Sequence, residues 1–361
     1  MSRLRVSCAI AALSTAWLSS GGASAQALAQ PSSPAVVPSA PLPPKPASPA
    51  PTSPVAPGRI RLIVAGASGN PPFVITGGRF FLQGTVVPFV ASQKVRVNVY
   101  RDGRKLETRT LAVLPRGDGK GRISLAYSSR VAGLVQVRVA HDATTQQAAF
   151  TGRSKDIHFA SPNLGQGARG PSVRLLQSEL SALHYVVPSS GVFDEATGRA
   201  VIAYRKVAGL TRVPFTNTGL FKFLQHGAGS FHAHYRRDGR HVEADLTSQV
   251  LAEIEPGGRV RSIYTMSSGK PSTPTVIGRY RVYMKTPGVN AKGMVDSSYF
   301  IAGYAVHGYP EVPISAASHG CVRVPIPDAA SIYWWMRPGT PVDVYHDSGG
   351  GSRRVSGRAG P

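Results

Sequence analysis

Cysteine is almost missing from this chain: 361 residues hold two, Cys8 and Cys321. A disulfide framework is thereby excluded, and the core must be built from apolar side chains alone. Acidic residues are also scarce, with 18 Asp and Glu against 41 Lys and Arg, a net charge of +23. Beyond the first 25 residues no stretch reaches the ~18 apolar residues that a membrane-spanning helix requires, so no transmembrane segment is expected. Hydrophobic residues nevertheless make up 42% of the chain, ample for two or three globular domains and incompatible with a disordered protein.

The first 25 residues read as a secretory signal. Arg3 and Arg5 precede an apolar run around Ala9 to Leu18, and Ala23-Ser24-Ala25 forms a small-residue cleavage site. Cleavage starts the mature chain near Gln26, outside the cytoplasm, in the cell wall or periplasm. Cys8 precedes most of the apolar run, unlike a lipid-anchoring cysteine, so a soluble product is expected. Its removal leaves Cys321 as the only cysteine, and a buried small hydrophobe, an intermolecular disulfide and a reactive thiol are all open readings for it. Without Arg3 and Arg5 the charge is +21, which favours polyanionic partners. For an exported chain these are anionic wall polymers or a membrane surface, not nucleic acid. The basic residues are spread along the chain, which fits a solubilising surface equally well.

Residues 26–57 are dominated by Pro, Ala and Ser and predict a stiff, extended spacer. Residues 58–160 carry short alternating segments such as Ile60, Leu62, Val64 and Val135, Val137, Val139. Asp102-Gly103 supplies a two-residue hairpin signal, and the region resembles an immunoglobulin-like β-sandwich. Residues 161–226 turn helical. Pro171 suits a first helical position before Val173, Leu176, Leu180 and Leu183, and Asp194 is placed to cap a second helix that stops at Gly209. A third, weaker helical stretch follows Thr216-Asn217-Thr218-Gly219. Strands return over residues 230–346, with Pro256-Gly257-Gly258 turning one hairpin and Asp328 expected to cap a late helix carrying Ile332, Trp335 and Met336. Residues 347–361 are a Gly, Ser and Arg tail, read as disordered. The fold class is therefore multidomain and mainly β.

A thiol becomes a nucleophile when a base or a positive dipole stabilises its thiolate. Two histidines are candidates: His319, two positions before Cys321, and His307, fourteen before it in Ala305-Val306-His307-Gly308. A ring two positions away on an extended turn aims poorly at the thiol, whereas His307 can approach from a facing strand and needs an orienting acceptor, a backbone carbonyl for want of a nearby acid. Gly320 permits close approach of a substrate carbonyl, and the amides of Gly320 and Cys321 are candidates for an oxyanion hole. Arg323 is placed to pair with a carboxylate. His232, His234 and His241 have the look of a zinc cluster, but His232 and His234 would share a strand face and nothing completes the set, so neither metal nor cofactor is expected.

His307-Gly308 with Ser318-His319-Gly320-Cys321-Val322-Arg323 resembles the signature of the YkuD-type L,D-transpeptidase catalytic domain, and Ser267-Ser268-Gly269-Lys270-Pro271 with Pro274-Thr275-Val276-Ile277-Gly278 is similar to that domain's upstream segment. The string from Leu164-Gly165 through Leu176-Gln177 and Phe193-Asp194 to Ala200-Val201 resembles the small three-helix peptidoglycan-binding domain. The first resemblance implies a β-sandwich in which Cys321 is acylated by a tetrapeptide stem of peptidoglycan and passes the acyl group to an amine of a neighbouring stem. It makes Cys321 the nucleophile and His307 the proton donor and acceptor, with Ser318, His319, Gly320, Gly308 and Arg323 in support. The second implies that residues 161–226 bring the enzyme to the wall and take no part in chemistry. Two alternatives stay open: an L,D-carboxypeptidase using the same thiol with water as acceptor, and a non-enzymatic wall-binding protein.

Overall fold

The computed structural model describes residues 55–347. The expected leader, most of the Pro-rich spacer and all but the first residue of the tail lie outside the described residues. Ten strands come first: β1 (Arg59–Ala65), β2 (Phe73–Ile75), β3 (Arg79–Val87), β4 (Lys94–Arg101), β5 (Arg104–Ala112), β6 (Leu114–Gly117), β7 (Lys120–Ser128), β8 (Gly133–His141), β9 (Phe150–Arg153) and β10 (Ile157–Ala160). They form a four-stranded sheet, β1-β3-β7-β6, and a six-stranded sheet, β2-β10-β8-β4-β5 with β9 on β8. Period-two alternation sends Phe80, Leu82 and Val86 of β3, the valines at 95, 97 and 99 of β4, and those at 135, 137 and 139 of β8 into one shared core. Asp102 and Gly103 turn β4 into β5 with φ of 50° and 80°, the left-handed pair a tight hairpin requires.

Three helices follow, α1 (Pro171–Ala182), α2 (Glu195–Val207) and α3 (Thr218–Gln225). Pro171 opens α1, Asp194 caps α2 by accepting from Thr197 N at 2.8 Å, and Asn217 caps α3 by accepting from Leu220 N at 2.9 Å. The C-terminal region contains β11 (His241–Asp245), β12 (Val250–Glu255), β13 (Arg259–Thr265), β14 (Gly278–Arg281), β15 (Met284–Val289), β16 (Val295–Ile301), β17 (Tyr304–Tyr309), β18 (Val322–Pro325), α4 (Ile326–Trp335) and β19 (Pro341–Tyr345). Its sheets run β13-β12-β11-β19-β14 and β15-β16-β17-β18. Val242, Leu251, Val306, Val322, Val324, Ile332 and Met336 bring both sheets and α4 into one core.

Two local expectations change. Asp328 does not cap α4: the helix opens earlier, after Pro325 and without a side-chain cap, and Asp328 sits in its first turn 3.5 Å from Arg199 of α2. Pro at the start of a helix sacrifices no hydrogen bond, which frees Asp328 for that partner. His232 and His234 lie in an irregular segment before β11, so they share no strand face.

The helical segment is seated on both its neighbours. One core unites Phe73 and Ala160 of the N-terminal strands, Leu176, Tyr204 and Phe221 of the helices, and Val250 and Ile263 of the C-terminal strands. At the open edge of the five-stranded sheet, Ile263 N donates to His184 O at 2.9 Å and Val186 N to Ile263 O at 3.2 Å. The link between α1 and α2 thus satisfies backbone groups that β13 would otherwise expose.

Candidate active site

β17 and β18 run parallel with Val306 opposite Val322 and His307 opposite Arg323. Val306, Val322 and Val324 are buried in the core, so the alternate positions face the other way. His307, Tyr309 and Arg323 therefore share a face, and Cys321, one step before β18, continues it. Tyr309 organises the group: the Arg323 guanidinium lies 4.1 Å from its ring centre, and the His307 ring meets its edge at 5.7 Å and 90°.

His307 is buried, with Nδ1 2.9 Å from Gly308 O. A carbonyl oxygen can only accept, so Nδ1 carries the proton and Nε2 is left as the basic nitrogen. Gly308 is glycine for a packing reason: a Cβ there would come within 2.7 Å of Ala329 Cβ on α4. The Cys321 thiol is half-buried and donates to Gly303 O at 3.8 Å, while the Ala305 amide faces its sulfur.

The turn that presents the thiol is tied at Ser318, Gly320 and Cys321. Ser318 Oγ donates to Cys321 O at 2.5 Å and accepts from Gly320 N at 3.0 Å. The Gly320 amide, a candidate oxyanion donor by sequence, is therefore engaged inside the turn. Gly320 takes φ +113°, and a Cβ would fall 1.9 Å from Tyr304 Cε1, so no other residue fits. His319 is exposed.

Residues 267–275 hold this turn from the outside. Ser267 and Arg323 exchange backbone hydrogen bonds at 2.9 Å each way, and Ser268 O accepts from Ala317 N and Ser318 N at 2.8 and 2.9 Å. Ser318 O accepts from Lys270 N and Thr273 Oγ1, both at 3.0 Å. Thr275 Oγ1 donates to Gly320 O and accepts from Gly269 N, each at 2.8 Å. Tyr304, Tyr309, Thr273 and Thr275 are the residues sequence reasoning did not assign. Tyr309 carried a usable signal, two positions beyond His307 on the same strand, and Thr275 stood in the upstream segment that the resemblance picked out.

Burial lowers the His307 pKa, helped by the nearby Arg323 charge and opposed by the Gly308 carbonyl. Burial raises that of Cys321, opposed by the Ala305 amide, Lys292 and Arg323. At neutral pH the pair rests as neutral thiol and neutral imidazole: a thiol still holding its proton, and an imidazole free to accept one.

Residues 239–344 match the L,D-transpeptidase catalytic domain model, and residues 169–213 match that of a putative peptidoglycan binding domain. No curated protein matches the chain. Among solved structures, an L,D-transpeptidase from Xylanimonas cellulosilytica is 33% identical over 52% of this chain and 98% of its own, with a TM-score of 0.48. One from Stackebrandtia nassauensis is 22% identical over 52% of this chain and 97% of its own, with a TM-score of 0.32. One from Mycobacterium tuberculosis is 21% identical over 30% of this chain and 58% of its own, with a TM-score of 0.28.

Proposed function

The chain belongs to the L,D-transpeptidase family with the YkuD catalytic domain and a peptidoglycan-binding domain, and we propose that it crosslinks peptidoglycan through an acyl-enzyme on Cys321. The carrying observation is that His307 on β17 and Cys321, one step before β18, share a face, with His307 Nδ1 pinned by Gly308 O at 2.9 Å. In the proposed reaction the thiol sulfur attacks the carbonyl before the last residue of a tetrapeptide stem, and His307 Nε2 takes the thiol proton. Collapse breaks the amide bond, His307 returns the proton to the departing amine, and a thioester remains on Cys321. An amine of a second stem then attacks the thioester, loses its proton to His307, and the thiol is regenerated. The Cys321 amide is the oxyanion donor in this scheme, since the Gly320 amide is held by Ser318. Arg323, fixed over Tyr309, is assigned to the stem carboxylate.

We assign residues 58–160 to an immunoglobulin-like sandwich, 161–226 to the three-helix peptidoglycan-binding type and 230–346 to the catalytic sandwich, all acting outside the cytoplasm. A groove of about 490 Å³ on the first sheet, where Arg59, Arg61, Arg116 and Lys120 outnumber the one acid, Asp118, supports anionic wall polymers as partners.

The same chemistry with water as acceptor is an L,D-carboxypeptidase. Incubating the protein with purified tetrapeptide stems, with and without an added amine acceptor, separates the readings by product mass. Crosslinked dimers are expected; trimmed tripeptides alone would mean the hydrolase, and unchanged stems would leave a wall-binding protein.

A further inference from the structure

Lys206, near the end of α2, is buried inside the C-terminal strands. Its Nζ lies 2.9 Å from Gln249 O, 2.7 Å from Thr265 Oγ1 and 2.9 Å from Met266 O. All three partners accept, matching the three donors of an ammonium group. Burial without a carboxylate partner, with Arg212 adding to it, pushes its pKa down to about 7. A lysine so placed costs stability that a methionine of similar length would not, so packing alone does not explain it.

The partners lead to the nucleophile. Gln249, buried at a left-handed φ of 59°, donates through Nε2 to Ser268 Oγ at 2.7 Å and accepts from Ser268 N at 2.9 Å. Ser268 O holds Ala317 N and Ser318 N, and Ser318 Oγ closes on Cys321 O. From the same helical segment, Arg212 donates to Ile314 O at 2.7 Å, on the loop entering that turn, and to Thr247 O at 3.1 Å.

We propose that Lys206 is a positioning residue for Cys321, acting through Gln249, Ser268 and Ser318, so that the helical segment is part of the active-site framework as well as a wall-binding element. The proposal rests on Cys321 being the nucleophile.

The test compares full-length Lys206→Met and Ser268→Ala with the parent and with Tyr204→Phe. Tyr204, on the same helix, loses only a bond to Ala228 O, which takes no part in this path. In Lys206→Met and Ser268→Ala, kcat on soluble stems is expected to fall at least tenfold with KM little changed, and the pH profile of Cys321 alkylation by iodoacetamide to shift. Tyr204→Phe is expected to keep the parent kcat and profile. Because the two losses act on one path, the double variant loses no more than the larger single loss. Parent-like kcat and alkylation profile in folded Lys206→Met would overturn the proposal; if that variant does not fold, the same result in Ser268→Ala would do so. Alkylation needs no turnover, so a parent that leaves stems unchanged defeats the enzymatic reading alone, and the profile still decides the role of Lys206.

Discussion

In the proposed reaction, the chemistry at Cys321 depends on a proton that stays on the thiol until substrate arrives. With the thiol pKa raised and the imidazole pKa lowered by burial, an ion pair does not form at rest, and in the proposed reaction His307 accepts the proton as the sulfur attacks. Acylation should therefore be level near neutral pH and decline as pH falls below the depressed imidazole pKa, where protonated His307 can no longer accept. Iodoacetamide, which requires thiolate and no proton shuttle, should react slowly at pH 7 and speed up only toward and above pH 9. A rapid, pH-independent alkylation across neutrality would show a preformed thiolate and contradict this resting state. His307→Ala should slow acylation by about 10²- to 10⁴-fold, the range for a lost general base, while exposed His319→Ala should cost far less. Acylation rates of the two variants across pH check the assignment; the reverse order would exchange the roles. Gly320→Ala should fail to form the turn, since its Cβ meets the Tyr304 ring, and soluble, fully active Gly320→Ala protein would refute that packing.

Local rules carried the elements well. Hairpin φ values at Asp102-Gly103, Pro171 at the head of α1 and the cap at Asp194 each follow from a residue's own conformational preference. Asp194→Ala removes bonds from both Thr197 N and Thr197 Oγ1, and should lower stability by ~1 kcal/mol, read as a shift in denaturant midpoint; no shift would mean that packing alone sets the helix start. Asp328 misled because a capping residue type two positions into a helix is indistinguishable in sequence from a cap, and its partner, Arg199, lies on another helix. The proposed nucleophile and base were open to proposal from sequence because Ser318 to Arg323 are contiguous and His307 stands on one strand. Thr273 and Tyr304 were not, and Thr275 was marked only as a member of the resembling upstream segment, without a role. Their hydrogen bonds and contacts reach the turn from separate segments, and only the register of the folded sheets brings those segments together.

At the scale of the molecule, sequence composition separates a helical segment from the strands on either side, and the folded chain reunites them. Residues 184–186 cover the edge of β13, and Val250 and Ile263 share a core with the helices. The helical segment, read from sequence as a module that only positions the enzyme, is therefore expected to be needed for the stability of the C-terminal strands. Removing residues 161–226 should lower activity on soluble stems as well as on insoluble wall and leave an aggregation-prone product with an open sheet edge. A monomeric truncated protein with full activity on soluble stems would restore the detachable-module view.

The most direct test of the central claim is the intact mass of the protein during incubation with a tetrapeptide stem and no acceptor. The account predicts a single acyl adduct, its mass that of the stem minus the free amino acid released from its end, mapped to Cys321 and absent from folded Cys321→Ala. An adduct of equal yield on Cys321→Ala, or stem consumption by that variant at the parent rate, would contradict it.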